Sequence, residues 1–302
     1  MNTIAIDRRG YIGGSDIGSL FGVNHWKSAY ELWEEKTADA PVEEEFSPER
    51  EKILRRGRRL EPWIIELLEE ERGIFVQRRN VYHSDEEFPW MRCQLDFEYM
   101  EEFGLCNGEA KTVSPFAAQD WGEPETDQIP LSYCLQTMWG LGITKRSRTL
   151  VAALIGADDL RVHFVDRDED LIQEIRRRAY HFWTENVLKR IPPEPVTKLD
   201  IQKALYKRQG FISPGSPEVW KAVRKLNGAK AAIKRLNDVK DEQEMTIKKA
   251  LLAEAEAMGL CDGNSPRKFI VNDISGKPCC TVALQHRKAY SVGETDFLMI
   301  RT

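Results

Sequence analysis

No apolar run in the 302 residues comes near the roughly 18 that a bilayer-spanning helix requires. The opening "MNTIAIDRRG" has no long apolar core of the kind a secretory leader carries. Both absences lead to the expectation of a cytoplasmic protein with no membrane role. The six cysteines, Cys93, Cys106, Cys134, Cys261, Cys279 and Cys280, never fall in C-x-x-C spacing. A zinc ribbon or four-cysteine cluster is therefore not expected, and free thiols are. The adjacent Cys279-Cys280 pair reads as two small buried side chains of a strand, with a redox pair as the alternative. Positive charge is also short, 44 Lys and Arg against 49 Asp and Glu, for a net charge of −5. That excludes a chain coated in basic residues, although a local positive surface is enough to hold nucleic acid. No Gly-Lys-Ser/Thr phosphate loop occurs, and no glycine-rich dinucleotide fingerprint follows a strand.

The charge that is present is uneven. Residues 1–199 carry an excess of eleven negative charges and residues 200–302 an excess of six positive ones. The break falls at "KRIPPEPVTKLD", where Pro192, Pro193 and Pro195 end a helix and open a linker. The expected division is 1–195 for a mixed α/β domain and 196–302 for a basic helical extension with a terminal hairpin.

In the first part, Ser15–Phe21 reads as a short helix, and Ser28-Ala-Tyr-Glu31 is a capping box opening a second. The acidic "ADAPVEEEFSPE" reads as an exposed loop. A helix over 50–72 closes at Gly73, with Ile53, Leu54, Leu60, Ile64, Leu67 and Leu68 as one buried stripe. Strand patterns follow in "IFVQRRNVYH", "WMRCQLDFEYM" and "LCNGEAKTV", the last two joined at "EEFG". A helix over 132–141 precedes a hairpin, "RTLVAALIG" and "LRVHFVD", with its tip at residues 157–159. A long helix, 168–190, ends the domain. Beyond the linker, 217–259 reads as one long helix or a helical hairpin, with Val219, Val223, Leu226, Ile233 and Leu236 at helical spacing. Such a helix packs on its own body, on another copy or on DNA. The C-terminal "RKFIVNDISGKPCCTVALQHRKAY" reads as a small hairpin turning at Ser-Gly.

Chemistry concentrates between Asp96 and Lys111. Asp96 lies on one strand and Glu109-Ala110-Lys111 on its partner, thirteen residues later. Strand alternation puts Glu109 and Lys111 on one face and turns Ala110 into the fold. Two carboxylates beside a lysine suit a hard divalent cation and an attacking water, and this is the D-(x)n-E-x-K order of metal-dependent nucleases. Isolated E-x-K tripeptides are common as solvated strand charges, so other residues must agree. Glu61 in "RRGRRLEPW" either aims at the metal, with Pro62 supplying a kink or a helix start, or is one surface charge among arginines. Gln136 in "YCLQTMW" either lines the site or marks an exposed helix position. Near the N-terminus, "RRGYIGGSDIGSLFG" joins guanidinium charge, glycines and a hydroxyl at a helix start, parts suited to an anion and equally to a capped turn.

The ordered set "GGSDIGSLFGVNHWKSAYELW", "RGRRLEP", "D…GEAKT" and "YCLQTMW" resembles the YqaJ-type viral recombinases, phage exonucleases related to lambda exonuclease in the PD-(D/E)xK superfold, over about residues 8–190. The resemblance implies a restriction-endonuclease-like mixed sheet flanked by helices. It implies an exonuclease needing two Mg²⁺ (or Mn²⁺) per site that degrades one strand of linear double-stranded DNA from its 5′ end, in a bacterial or phage-infected cell. The 3′ overhang would pass to a single-strand annealing protein, and the enzyme would be a ring-forming homo-oligomer such as a trimer. Carried over, Glu61, Asp96 and Glu109 are the metal acids, the Ala110 carbonyl a further ligand, and Lys111 the residue that orients or deprotonates the water. Gln136 lies near the terminal phosphate, and Arg8 with Ser15 grips it, Arg9 replacing Arg8 if the register slips by one. Trp26 stacks on a terminal base or fills the core. One departure stands out: where the family has Ser-Pro-Asp-Gly, this chain has Gln94-Leu95-Asp96-Phe97. Gln94 then replaces the phosphate-binding serine, and Glu98, on the same face as Asp96 by alternation, is a rival ligand. An endonuclease of the same superfold and an inert DNA-binding module are the alternative functions.

Overall fold

The computed structural model describes residues 7–41, 48–206, 208, 210, 215–259 and 268–283. Half of the stretch read as an acidic loop (residues 42–47), the outer ends of the terminal hairpin and Cys261 lie outside these residues. The chain divides into two compact units, Met1–Leu205 and Tyr206–Thr302.

The first unit is built on a five-stranded sheet in sequential order: β1 (Val76–Ser84), β2 (Arg92–Glu101), β3 (Gly104–Val113), β4 (Arg148–Ile155) and β5 (Asp159–Asp166). Neighbours are antiparallel except β3 and β4, which run parallel. A parallel pair needs a crossover, and helix α4 (Leu131–Thr144) lies on that connection. Strand β4 is buried along nearly its whole length, as its continuous apolar run requires for a strand covered on both faces.

Each face has its own core. On one, Ile64, Ile65 and Leu68 of helix α3 (Pro48–Arg72) pack on Phe97, Cys106, Ala110, Leu150, Ala152 and Val162. On the other, Leu135, Trp139 and Leu141 of α4 join Val151, Ala153 and Val165 of the sheet. Helices α1 (Gly14–Leu20), α2 (Ala29–Thr37) and α5 (Glu169–His181) add Ile17, Leu32, Ile172 and Ile175 to that second core.

Most expected elements are present, with several corrections. Ser28 and Glu31 form the capping box, and Gly73 ends α3 at φ 64°. The α3 stripe is only half buried: Leu60 and Leu67 are partly covered, but Ile53 and Leu54 are 47% and 37% exposed. Ile53 and Leu54 lie outside the cluster that α3 forms with the sheet. Pro62 lies inside a continuous helix and does not start one. The β4–β5 tip begins one residue earlier than expected, because Ile155 pairs with Asp159. The long helix ends its α-helical part at His181 and continues as a π-helical turn, Phe182–Val187.

An unexpected helix α6 (Lys198–Tyr206) follows the prolines. Its signal was "TKLD": the Thr197 hydroxyl accepts the Asp200 amide while the Asp200 carboxylate accepts the Thr197 amide. Asp200 also accepts the Ser28 hydroxyl at 2.7 Å, tying α6 to the start of α2.

In the second unit, helix α7 (Pro217–Ala257) is one continuous helix capped by Ser216, with no buried residue. Strands β6 (Lys268–Asn272) and β7 (Pro278–Ala283) form the expected antiparallel hairpin, turning at Gly276 with φ 81°. Cys279 is exposed and Cys280 half-buried, against the expected buried pair, because a lone two-stranded sheet has no second layer to cover it. No helix among the described residues is long and apolar enough to cross a membrane.

Candidate active site

Strand β2 changes faces at Asp96. Cys93 and Leu95 belong to the core under α4, whereas Phe97 and Tyr99, of the same parity, belong to the core under α3. Across from Asp96, between the Arg79–Phe97 and Val81–Leu95 pairs, Asn80 is left-handed at φ 54°. The exchange of faces overturns the expectation that Asp96 and Glu98 are equivalent. Glu98 is fully buried, bonded to Arg146 at 2.6 Å and to His83 at 2.9 Å. Burial opposes its ionisation, but the hydrogen bonds from the Arg146 guanidinium and from His83 hold its carboxyl below the ordinary range.

The β2–β3 pairing runs from Glu101–Gly104 to Phe97–Gly108, whereas β3 goes on pairing with β4 to Val113. Just past that last pair, the Ala110 amide donates to Asp96 Oδ2 at 2.8 Å in place of a strand carbonyl. Gly108 makes the crossing tight: a Cβ there would lie 2.1 Å from the Phe97 ring. The gap that receives Asp96 is thus made by two strands parting beside a glycine.

Glu109 and Lys111 point together toward α4, as alternation predicts, and Ala110 enters the α3 core. The Lys111 ammonium donates to Glu109 Oε1, and Gln136 Nε2 reaches the same oxygen at 2.6 Å. Lys111 also lies 5.0 Å from the Tyr133 ring centre. Burial and then repulsion from Asp96 push the Glu109 carboxyl up to about 7, with Lys111 opposing. Asp96 is raised by burial against the pull of Lys111 and the Ala110 amide. Glu61 is raised by burial and by Asp96. Burial works to lower Lys111, but Glu109 and Asp96 outweigh it and raise it, so it is an ammonium group.

Glu61, Asp96, Glu109 and Gln136 share a cavity of about 660 Å³ with Arg8, Ser15 and Gln94. Arg8 donates to Ser15 Oγ at 3.0 Å and pairs with Asp16 at 3.1 Å. Arg9 turns instead to Asp7 and the Ala38 carbonyl. Gln94 bonds Asn80 at 3.3 Å. Trp26 is neither core nor cavity wall: it is 61% exposed, with Arg50 5.2 Å from its ring centre.

Sequence reasoning gave no role to Asp16 and Lys36. Both are buried, and Lys36 Nζ reaches Asp16 at 3.1 Å and the Arg8 carbonyl at 2.9 Å. Asp16 also accepts the Gly13 amide at 2.9 Å. The pair fixes the Arg8–Ser15 turn. Its signal was the Asp of "GGSD", although a lysine twenty residues later carries no motif.

Three carboxylates against one ammonium, all oxygen donors, match the chemistry of a hard divalent cation. Burial is the first cause of their raised proton affinities, and a bound cation would offset it. Among the described residues no three His, Cys, Asp or Glu side chains converge to ligand distance, since Glu109 is turned to Lys111 and Gln136.

Residues 6–147 match the profile of the YqaJ-like viral recombinase domain. The uncharacterized protein YqaJ of Bacillus subtilis (strain 168) is 31% identical over 185 residues, 61% of this chain and 55% of that protein. The chain thus spans about half the length of this curated relative. Among solved structures, an alkaline exonuclease from Laribacter hongkongensis aligns at a TM-score of 0.49 and 16% identity, covering 61% of this chain and 91% of that one. A phage-related exonuclease from Haemophilus somnus 129PT aligns at 0.42 and 13%, covering 60% and 96%. By sequence, residues 6–147 of this chain, a little under half of it, are similar to the YqaJ-like viral recombinase domain.

Proposed function

We propose that this protein is a divalent-cation-dependent exonuclease that degrades one strand of linear duplex DNA from its 5′ end. The observation that carries this reading is the convergence of Glu61, Asp96 and Glu109 on one cavity, with Lys111 bonded to Glu109, inside a YqaJ-like viral recombinase domain. Two Mg²⁺ or Mn²⁺ ions would be held by Glu61, Asp96, Glu109 and the Ala110 carbonyl, and would supply charge to polarise the phosphodiester and its attacking water.

The chain's own residues have distinct tasks. Lys111, raised and cationic, is a donor that orients the water or steadies developing negative charge; a raised ammonium is not a base. Gln136 holds the Glu109 carboxylate from α4. Arg8 and Ser15, braced by Asp16, offer the 5′-terminal phosphate a guanidinium fork and a hydroxyl. The 3′ overhang would pass to a single-strand annealing protein, and the acting form would be a ring of several copies.

The test is digestion of linear duplex with 5′-phosphate or 5′-hydroxyl ends, and of the same duplex with covalently closed ends, in Mg²⁺ and then in EDTA. Loss of open ends only, faster with phosphate and abolished by EDTA, is expected. Equal cutting of closed-end duplex would mean an endonuclease of the same superfold. No cleavage in Mg²⁺ or Mn²⁺ would leave the inert DNA-binding module.

A further inference from the structure

Two arginines on the cavity wall have no carboxylate partner among the described residues: Arg58 of α3 and Arg92 at the start of β2. Elsewhere in the first unit Arg146 meets Glu98, Arg148 meets Asp166 and Arg176 meets Asp85. Four carboxylates, Asp7, Glu61, Asp96 and Glu109, line the same cavity, yet the two guanidinium groups do not pair with them.

Both are held in place by other means. Arg92 Nε donates to the Pro89 carbonyl at 3.0 Å, and its guanidinium carbon stands 5.0 Å from the centre of the Tyr11 ring. That ring is fixed by its neighbours, since the Ile12 amide donates to Trp90 and the Arg92 amide to Ile12. With Nε engaged and one face stacked, the terminal nitrogens of Arg92 are left as a two-pronged donor. Arg58 lies one helical turn before Glu61, so both project from the same side of α3 into the cavity. Pro62 cannot donate to the Arg58 carbonyl, which loosens the helix at that turn.

We infer that Arg58 and Arg92 are backbone-phosphate contacts, reaching from different elements to hold two phosphates of the DNA strand that lies against Glu61, Asp96 and Glu109. An exposed fork without an acidic partner keeps its full charge for a phosphate, and Arg binds phosphate through paired N–H groups. Arg92 also lies two residues before Gln94, where the family's serine is missing, so it provides anion binding on the strand that lost it. The assignment rests on the nuclease reading for its ligand, but its test is binding and needs no turnover.

Affinity of the full-length chain for a linear 5′-phosphorylated duplex is measured in EDTA across a salt series, by fluorescence anisotropy. Each phosphate contact adds about 0.7–0.9 to the slope of log K against log salt. Arg58→Ala and Arg92→Ala should each lower the slope by about that amount, and the double variant by about twice it. Arg92→Lys should restore the slope and recover only part of the affinity, having charge without the fork. Arg177→Ala, which removes an arginine already paired with Glu174, should leave the slope unchanged. Both arginines are exposed, so the variants should fold as the parent does. An unchanged slope in Arg58→Ala and Arg92→Ala, or an equal loss in Arg177→Ala, overturns the assignment. Lowered slopes in a protein that cuts no DNA in Mg²⁺ would overturn the exonuclease reading and leave these contacts standing; normal end-dependent cutting with unchanged slopes would do the reverse.

Discussion

Glu109 is the residue on which the chemistry of the cavity turns. Its carboxyl, pushed up to about 7, holds a proton where an ordinary glutamic acid has lost it. A cation bound there must displace that proton, so affinity for Mn²⁺ should rise with pH up to about 7 and level off above, as calorimetric titration would show. Glu109→Gln should abolish the pH dependence along with most of the binding. The same shift sets a sign for stability without metal. The folded state binds more protons than the unfolded chain between the ordinary carboxylate range and about 7, so stability should fall as pH rises through that window. Urea melts in EDTA should show that fall in the parent and a weaker one in Glu109→Gln. Lys111→Ala should lower kcat by about a hundredfold or more while DNA affinity in EDTA changes little. Near-normal turnover would remove Lys111 from the mechanism. The placement of Glu109 beside Lys111 was legible in the sequence because E-A-K alternates on a strand by geometry alone. Rejection of Glu98 was not, since it depends on β2 changing faces and on Arg146 and His83, distant in sequence, closing around that carboxylate.

Two elements place the site. Strands β2 and β3 part beyond Gly108, whose missing side chain admits the Phe97 ring. Gly108→Ala should destabilise the protein by about 1–3 kcal/mol, the cost of overpacking, with part recovered in Gly108→Ala/Phe97→Leu. Full stability in the single variant would contradict the contact. The α1 turn depends on a buried ion pair, Asp16 with Lys36. Burial opposes ionisation of Asp16, but Arg8, Lys36 and the Gly13 amide prevail and hold its pKa below the ordinary value. Its contribution is therefore present above the ordinary carboxylate range and lost as pH falls below it. Asp16→Ala should cost about 1–3 kcal/mol, because it removes one of the two carboxylates on the buried Lys36 ammonium and leaves Glu35 as its remaining partner. Digestion of 5′-phosphorylated ends should slow more than digestion of 5′-hydroxyl ends, as Arg8 loses its brace. Capping boxes and the glycine stop of α3 could be read locally. The exposure of Ile53 and Leu54 could not, because helical periodicity says which residues share a face and not whether a sheet lies beneath it.

At the scale of the whole chain, two compact units carry opposite charge, residues 1–205 acidic and 206–302 basic. In the acidic unit Arg8, Arg58 and Arg92 line the cavity, a local positive charge of the kind by which an acidic protein can hold a polyanion. Helix α7, with no buried residue, presents Trp220, Ile233 and Leu236 among lysines and arginines. A ring of copies, if that is the acting form, should give a closed particle such as a trimer by light scattering of the full-length protein; a single-chain mass at working concentration would exclude it.

The sequence by itself determined what is local or periodic: helix caps, strand alternation, the pairing of Glu109 with Lys111, and the order of motifs that marks the domain. Only the tertiary structure decided which carboxylates meet. It brought Glu61 from a helix on one face of the sheet to the Asp96–Glu109 pair, chose Asp96 over Glu98, and separated Arg8 from Arg9 and Trp26 from the cavity. Local rules fix the direction of a side chain relative to its own backbone. Which groups share a cavity depends on where distant segments cross, and here that crossing is set by a glycine under an aromatic ring and by two strands that stop pairing one residue before Glu109.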